Sequence, residues 1–187
     1  MKVLIVSGSK RNGNSEFLSN VLYEHICGLS VPVDLSCIKL SELKLNYCTG
    51  CLECDETEKC CINDEMTDLV DLVAEVDGFV FISPVRWSLI SGEMKTFLDR
   101  LNPLAVSMKL SGKKCITIVI GQSEQSEGDS VLEASKSFKA FADNAEIIIC
   151  KQIEVFSCLE GKDIAQFRDS IELCKKACEE LIANIEG

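Results

Sequence analysis

Val3-Leu4-Ile5-Val6-Ser7-Gly8-Ser9-Lys10-Arg11-Asn12-Gly13-Asn14-Ser15 joins a short apolar run to a loop of glycines and hydroxyls, and a stretch of helical periodicity follows. An apolar run of this length bounded by turn residues reads as a buried strand, so the segment is one strand–loop–helix step. The same alternation continues along the chain. Strands are expected near residues 2–6, 32–38, 78–83, 113–120 and 146–156, and helices near 15–28, 64–76, 91–101, 129–143 and 163–185. Strands that alternate with helices build β-α-β units and a parallel sheet.

Five such units predict an α/β fold, a flavodoxin-like three-layer sandwich whose five-stranded parallel sheet has the order 2-1-3-4-5 with helices on both faces. No repeat, low-complexity tract or linker interrupts the pattern, so residues 1–187 are read as one domain. Ligands of such sheets sit beyond the carboxyl ends of the strands, where strand order reverses. The loop Ser7 to Ser15 lies at that point. Its glycines permit tight turns, its hydroxyls and amides donate hydrogen bonds, and the following helix adds partial positive charge, which together make a phosphate cradle. The plainer alternative is a polar strand-to-helix turn capped by Asn14. G-x-G-x-x-G is absent, and G-x-x-x-x-G is followed by Asn14-Ser15 where a nucleoside triphosphate loop needs lysine and then Ser/Thr. Flavin mononucleotide (FMN) fits the loop better.

Cys48, Cys51, Cys54 and Cys60 form the pattern C-x2-C-x2-C-x5-C within a cysteine-rich loop at 48–61. Four thiolates closely spaced on one loop suit a [4Fe–4S] cluster, which accepts several loop spacings. A four-cysteine zinc site usually draws on two C-x2-C knuckles a dozen or more residues apart, a separation missing here. Free thiols or a redox disulfide are the third reading, with Cys61 as a spare thiol able to replace a ligand.

An apolar fraction of 47% with 26% charged residues is a soluble globular balance. The apolar opening is too short for a signal peptide, so the 12 cysteines are expected in a reducing cytoplasm. Cys115 and Cys150 in strand-like runs, and Cys174 and Cys178 one helical turn apart, read as small buried hydrophobes. A net charge of −11 argues against nucleic-acid backbone and anionic membrane as partners. No run of about 20 apolar residues exists to span a bilayer. Glu53, Asp55, Glu56, Glu58, Asp64, Glu65 and Asp68 crowd the cysteine loop and the helix after it, and read as a solvated face. His25 shares a helical stripe with Leu18, Leu22 and Leu29 and reads as structural. Lys95 and Arg100 read equally as exposed helix cations or as groups that steer an anionic cofactor. No catalytic triad or carboxylate pair emerges, and no catalytic residue is assigned.

Several motifs in this order resemble one known group: G-S-x-R-x-G-N-S from Gly8 to Ser15, the cysteine run, Asn63-Asp64-Glu65-Met66, Ser83-Pro84-Val85-Arg86-Trp87, Met94-Lys95 and Asp99-Arg100. Over nearly its whole length the chain resembles the NADPH-dependent FMN reductase group of flavodoxin-like proteins, above all the iron–sulfur flavoproteins. The resemblance implies FMN with its phosphate at Ser9, Arg11, Asn14 and Ser15, its isoalloxazine held by Pro84, Val85, Arg86 and Trp87, and further contacts from Gly121, Gln122 and Ser123. It implies a homodimer or dimer of dimers. The chain departs from the group at Arg86, where tyrosine is usual. Three function classes follow: an electron-transfer flavoprotein that also carries a [4Fe–4S] cluster and exchanges electrons with a small redox protein or small-molecule acceptor; a cluster-free NAD(P)H-dependent FMN or quinone reductase; and a non-catalytic interaction protein on the same frame.

Overall fold

Alternating residues of each strand supply two separate apolar layers, and that alternation generates the three-layer architecture. The computed structural model describes residues 1–126, 129–161 and 163–187. In chain order the elements are β1 (Lys2–Ser7), α1 (Asn14–Cys27), β2 (Asp34–Lys39), α2 (Glu53–Thr57), α3 (Met66–Glu75), β3 (Gly78–Arg86), β4 (Leu89–Ile90), α4 (Gly92–Asp99), α5 (Asn102–Val106), β5 (Lys114–Ile120), α6 (Ser130–Asn144), β6 (Ile148–Val155) and α7 (Arg168–Glu186). The long strands lie in the order β2-β1-β3-β5-β6, all parallel, while β4 pairs antiparallel with the end of β3. Counting only the long strands, this is the expected 2-1-3-4-5 order.

Val3, Ile5, Val80 and Ile82 face α1 and α7 on one side of the sheet, where they meet Leu18, Leu22, Cys174 and Leu181. Leu4, Val6, Phe79 and Phe81 face the opposite layer and pack against Met66, Phe97 and Phe138. Cys115, Cys174 and Cys178 are buried, as expected of small apolar side chains, and Cys150 is half-buried. Burial pushes the Cys115 and Cys174 thiols up to about 12. His25 bridges the α1–α7 layer with its Nε2 at 2.9 Å from Glu179 Oε1, a structural role.

The structure departs from the sequence reading at element ends. The second strand begins at Asp34, past Pro32, whose nitrogen has no hydrogen to give a ladder. The helix expected over 91–101 stops at Asp99, and Pro103 restarts the chain as α5. The helix expected from residue 64 begins at Met66, because Asp64 Oδ1 accepts the Met66 N–H at 3.1 Å and caps it from outside. The last helix begins at Arg168, after a single 3-10 turn at Asp163–Gln166. β4 was unforeseen: it closes a two-residue hairpin through Trp87 and Ser88, whose φ values of 49° and 61° give the mirror-image turn that suits strand twist. Among the described residues, no helix is long and apolar enough to cross a membrane.

Candidate functional site

Parallel strands place every strand-to-helix loop at one edge of the sheet, so the Ser7–Ser15 loop, the β3–α4 connection and Gly121 converge there. Gly8 donates its N–H to Ile82 O at 2.8 Å, which ties the first loop to β3. A side chain at Gly8 would meet Ser91 Oγ at 2.7 Å and Met94 Cβ at 2.9 Å, so α4 packs directly on the loop backbone. Ser91 is the joint of this corner. Its hydroxyl donates to Gly8 O at 2.6 Å and accepts the Met94 N–H at 3.2 Å, capping α4, while its N–H donates to Ser83 Oγ at 2.9 Å. Neither Ser83 nor Ser91 was singled out as a site residue, although a serine three positions before Met94 is an ordinary helix-start signal.

Gly13, not Asn14, occupies the cap position of α1, and no side chain caps it. The first N–H groups of α1 therefore have no partner from the helix or from a cap, and an anion at this end satisfies them. Ser15 is buried beside them, and Ser9 Oγ donates to Arg11 O at 2.8 Å, which shapes the loop. The Asn14 side chain is partnered within the protein. Its Nδ2 donates to Glu160 O at 2.7 Å and its Oδ1 accepts the Ile164 N–H at 3.0 Å, so it latches the β6–α7 loop onto the cradle and leaves its main-chain N–H for an anion. Gln122 Nε2 donates to Leu159 O at 3.1 Å, and Ser157 N–H donates to Ser123 O at 3.1 Å, adding the Gly121–Ser123 segment to the same assembly. These residues fit a flavin phosphate: unpaired amides, buried hydroxyl and close-packed glycine meet at one corner.

The Pro84–Trp87 segment is less committed. Pro84 is buried and Val85 half-buried, but Arg86 is exposed with Nη1 on Val85 O at 2.9 Å. Trp87, at the hairpin tip, is 98% exposed and touches no cofactor wall.

The cysteine loop leaves from the same edge, after β2. Cys48, Cys51, Cys54 and Cys60 all line one cavity of about 40 Å³, together with Cys61 and Asn102. Leu52 and Glu58, with φ of 62° and 55°, bend the chain tightly on either side of α2. Asn102 Nδ2 donates to Cys54 Sγ at 3.0 Å, and Gly50 N–H approaches Cys48 Sγ at 3.5 Å. Cys51 Sγ lies 3.4 Å from Cys61 Sγ, and Glu53 completes a group of three ligand-type side chains with them. The Glu53 N–H lowers the Cys51 thiol below its ordinary value, helped by the Cys61 thiol, and that same hydrogen bond to Cys51 pushes Cys61 up to about 11. The residue types suit a thiophilic metal or a cluster, although among the described residues only Cys51, Glu53 and Cys61 bring their ligand atoms within 4.8 Å of one another, and Cys48, Cys54 and Cys60 are not gathered with them.

Both ends of this loop are held by one guanidinium. Arg100, read from sequence as either an exposed helix cation or a group that steers an anionic cofactor, is 1% exposed. It donates to Asn46 O at 2.8 Å, Ile62 O at 3.2 Å and the two Asp64 carboxylate oxygens at 2.8 and 2.9 Å. Asp64 also accepts the Asn46 N–H at 2.7 Å, so the supposed solvated acidic face contains one buried carboxylate. The Arg100 hydrogen bonds hold that carboxyl well below the usual carboxylate range, against the opposing effect of burial. Lys95, by contrast, pairs with Asp99 on the surface of α4. Beside the loop opens a cleft of about 690 Å³ with Cys48 and Leu52 on one side and Leu98, Val106 and Phe141 on the other.

A family model described as NADPH-dependent FMN reductase matches residues 1–146. An iron–sulfur flavoprotein of Methanocaldococcus jannaschii is 30% identical over 139 residues, 74% of this chain and 71% of that protein. An iron–sulfur flavoprotein of Clostridioides difficile is 32% identical over 139 residues, 73% of this chain, and the match spans 60% of its own length. Among solved structures, a flavone reductase superposes with a TM-score of 0.74 at 16% identity, covering 100% of this chain and 63% of that one. An FMN-dependent NADH-azoreductase from Bacillus anthracis in complex with FMN has a TM-score of 0.71 at 12% identity, over 97% and 99% of the two chains. At these identities the structural likenesses establish the flavodoxin-like fold.

Proposed function

The chain belongs to the NADPH-dependent FMN reductase family, and from that premise we propose that it is an electron-transfer flavoprotein holding FMN in the Ser7–Ser15 cradle and a [4Fe–4S] cluster on Cys48, Cys51, Cys54 and Cys60. Membership makes it a flavin oxidoreductase; the cluster, the partners and the assembly are our reading. The observation that carries it is that these four cysteines all line one cavity of about 40 Å³, on a loop leaving the same sheet edge as the cradle. The names of the relatives point the same way.

FMN supplies, when bound, the conversion between two-electron and one-electron transfer, while a cluster stores single electrons. The protein's part is to bind and tune. Main-chain N–H groups at the start of α1, with Ser9, Arg11 and Ser15, would hold the phosphate, and Pro84, Val85, Arg86 and Gly121 to Ser123 would border the ring. The Asn102 N–H on Cys54 Sγ would draw charge from that sulfur as a ligand and so raise the potential of a bound cluster. NAD(P)H is the donor we favour, a small redox protein or small molecule the acceptor, a homodimer or dimer of dimers the assembly, and the cytoplasm the compartment.

A second reading, a cluster-free NAD(P)H-dependent flavin or quinone reductase, is favoured by one observation: Cys51 and Cys61 are paired as thiols at 3.4 Å. Anaerobic purification with iron and acid-labile sulfide counted against FMN separates the two. Iron and sulfide near four per FMN, lost in Cys51→Ser with FMN retained, is the expected result. FMN without iron after anaerobic reconstitution would leave the second reading standing.

A further inference from the structure

Five thiols line a cavity in which a cube has four corners to offer, so one thiol is surplus to the proposed cluster. The structure identifies it by position. Cys60 is partly buried, at the end of the loop that Arg100 clamps, whereas Cys61 is exposed and has its sulfur 3.4 Å from that of Cys51. Two thiolates on different irons of one cube cannot stand in hydrogen-bonding contact, so Cys51 and Cys61 are not both ligands, and the exposed Cys61 is the one left over.

We propose that Cys61 is the resolving thiol of Cys51: in the cluster-free loop a peroxide oxidises the pair to a Cys51–Cys61 disulfide, which a dithiol reductant reopens for refilling. The inference rests on the cluster reading for its purpose and on the sulfur geometry for its chemistry. In the first step the Cys51 thiolate attacks one peroxide oxygen, the O–O bond breaks, a sulfenic acid forms and hydroxide leaves, taking up a proton to become water. In the second step the Cys61 sulfur displaces the sulfenic oxygen, which leaves as a second water once protonated. Two thiols are oxidised by two electrons and the peroxide is reduced by two. The contact of 3.4 Å must shorten to a bond of about 2.05 Å. Both residues sit on an exposed loop, which leaves the peroxide free to reach them.

Three other thiols compete. Cys48 is exposed, Cys54 is occupied by the Asn102 N–H, and Cys60 adjoins the segment held by Arg100. Only Cys61 already stands against Cys51. Its presence decides the fate of the sulfenic acid, because a disulfide is reducible whereas further oxidation to sulfinic acid is not.

The test uses the full FMN-loaded chain, stripped of iron by a chelator under argon and treated with two equivalents of hydrogen peroxide, since a thiol consumes one on the way to sulfenic acid and a second on the way to sulfinic acid. Free thiols are then alkylated and a non-reducing digest is read by mass spectrometry. Cys51 linked to Cys61 should dominate, and dithiothreitol should restore iron uptake to the untreated level. Cys61→Ser should take up iron like the wild type before peroxide, then accumulate Cys51 sulfinic acid and lose uptake beyond rescue. A cross-link mainly to Cys48, Cys54 or Cys60, sulfinic acid at Cys51 in the wild type, or full rescue of Cys61→Ser would each overturn the inference. Failure of the untreated wild type to take up iron would instead overturn the cluster reading, and the cross-link map would still decide the sulfur chemistry.

Discussion

Arg100→Met removes the guanidinium that joins the entry and exit of the cysteine loop while keeping a side chain of similar length. The substitution leaves Asp64 as a buried carboxylate whose remaining donors are the Asn46 and Met66 N–H groups and the Asn46 side chain, and it orphans the carbonyls of Asn46 and Ile62. Breaking a buried ion pair from one side costs about 3–5 kcal/mol. Because the clamp serves a loop at the sheet edge, the loss should surface as local opening there. The amides of Asn46 and Met66, both bonded to Asp64, are the reporters. At about 1.4 kcal/mol per factor of ten, their hydrogen exchange should quicken by roughly two to three and a half powers of ten. The sign of the pH dependence follows from Asp64, whose folded value is held below its ordinary one. That stabilisation is full above the unfolded carboxyl pKa and is lost as pH falls through the folded value, so the gap between wild type and variant should narrow below about pH 4. The double variant Arg100→Met/Asp64→Asn, free of the unpaired charge, should recover part of the loss. Exchange accelerated less than tenfold, or a double variant no better than the single, would refute the clamp.

Ser91→Ala removes the α4 cap and the link to the Gly8 carbonyl together, so urea unfolding should show a loss of about 1–2 kcal/mol and fluorescence titration a weaker FMN complex; unchanged FMN affinity would detach α4 from the cradle. Ser88→Gly relieves a left-handed residue at φ 61°, strain worth about 1–2 kcal/mol, at a backbone-entropy cost of roughly 0.5–1 kcal/mol, so the melting temperature should rise; a fall would mean that the serine side chain supports the hairpin.

The sheet was legible because its strands are dense apolar runs, and the helices because their stripes face those runs. What escaped depends on partners distant in the chain or on broken local rules. Arg100 carries no local mark of burial, and its meaning resides in Asp64, 36 positions earlier. The hairpin was hidden because Trp87 and Ser88 occupy positions where asparagine and glycine usually announce the turn. Asn14 was read as a loop residue at the start of α1, but its side chain answers to Glu160 and Ile164, which no spacing within the loop can reveal. The cysteines were legible as a group because their chemistry is local; the pairing of Cys51 with Cys61 required coordinates.

The Asn14 latch also bears on how the protein is made. Its partners lie 146 and 150 residues downstream and are synthesised long after the loop itself. Contacts of such sequence separation form late, after the intervening chain has closed. A nascent chain that has completed β1 and α1 thus presents a loop whose amides are in place but whose retaining wall has not yet been synthesised. The cradle is consequently completed at the end of folding rather than at its start, when the β6–α7 segment comes back onto the loop.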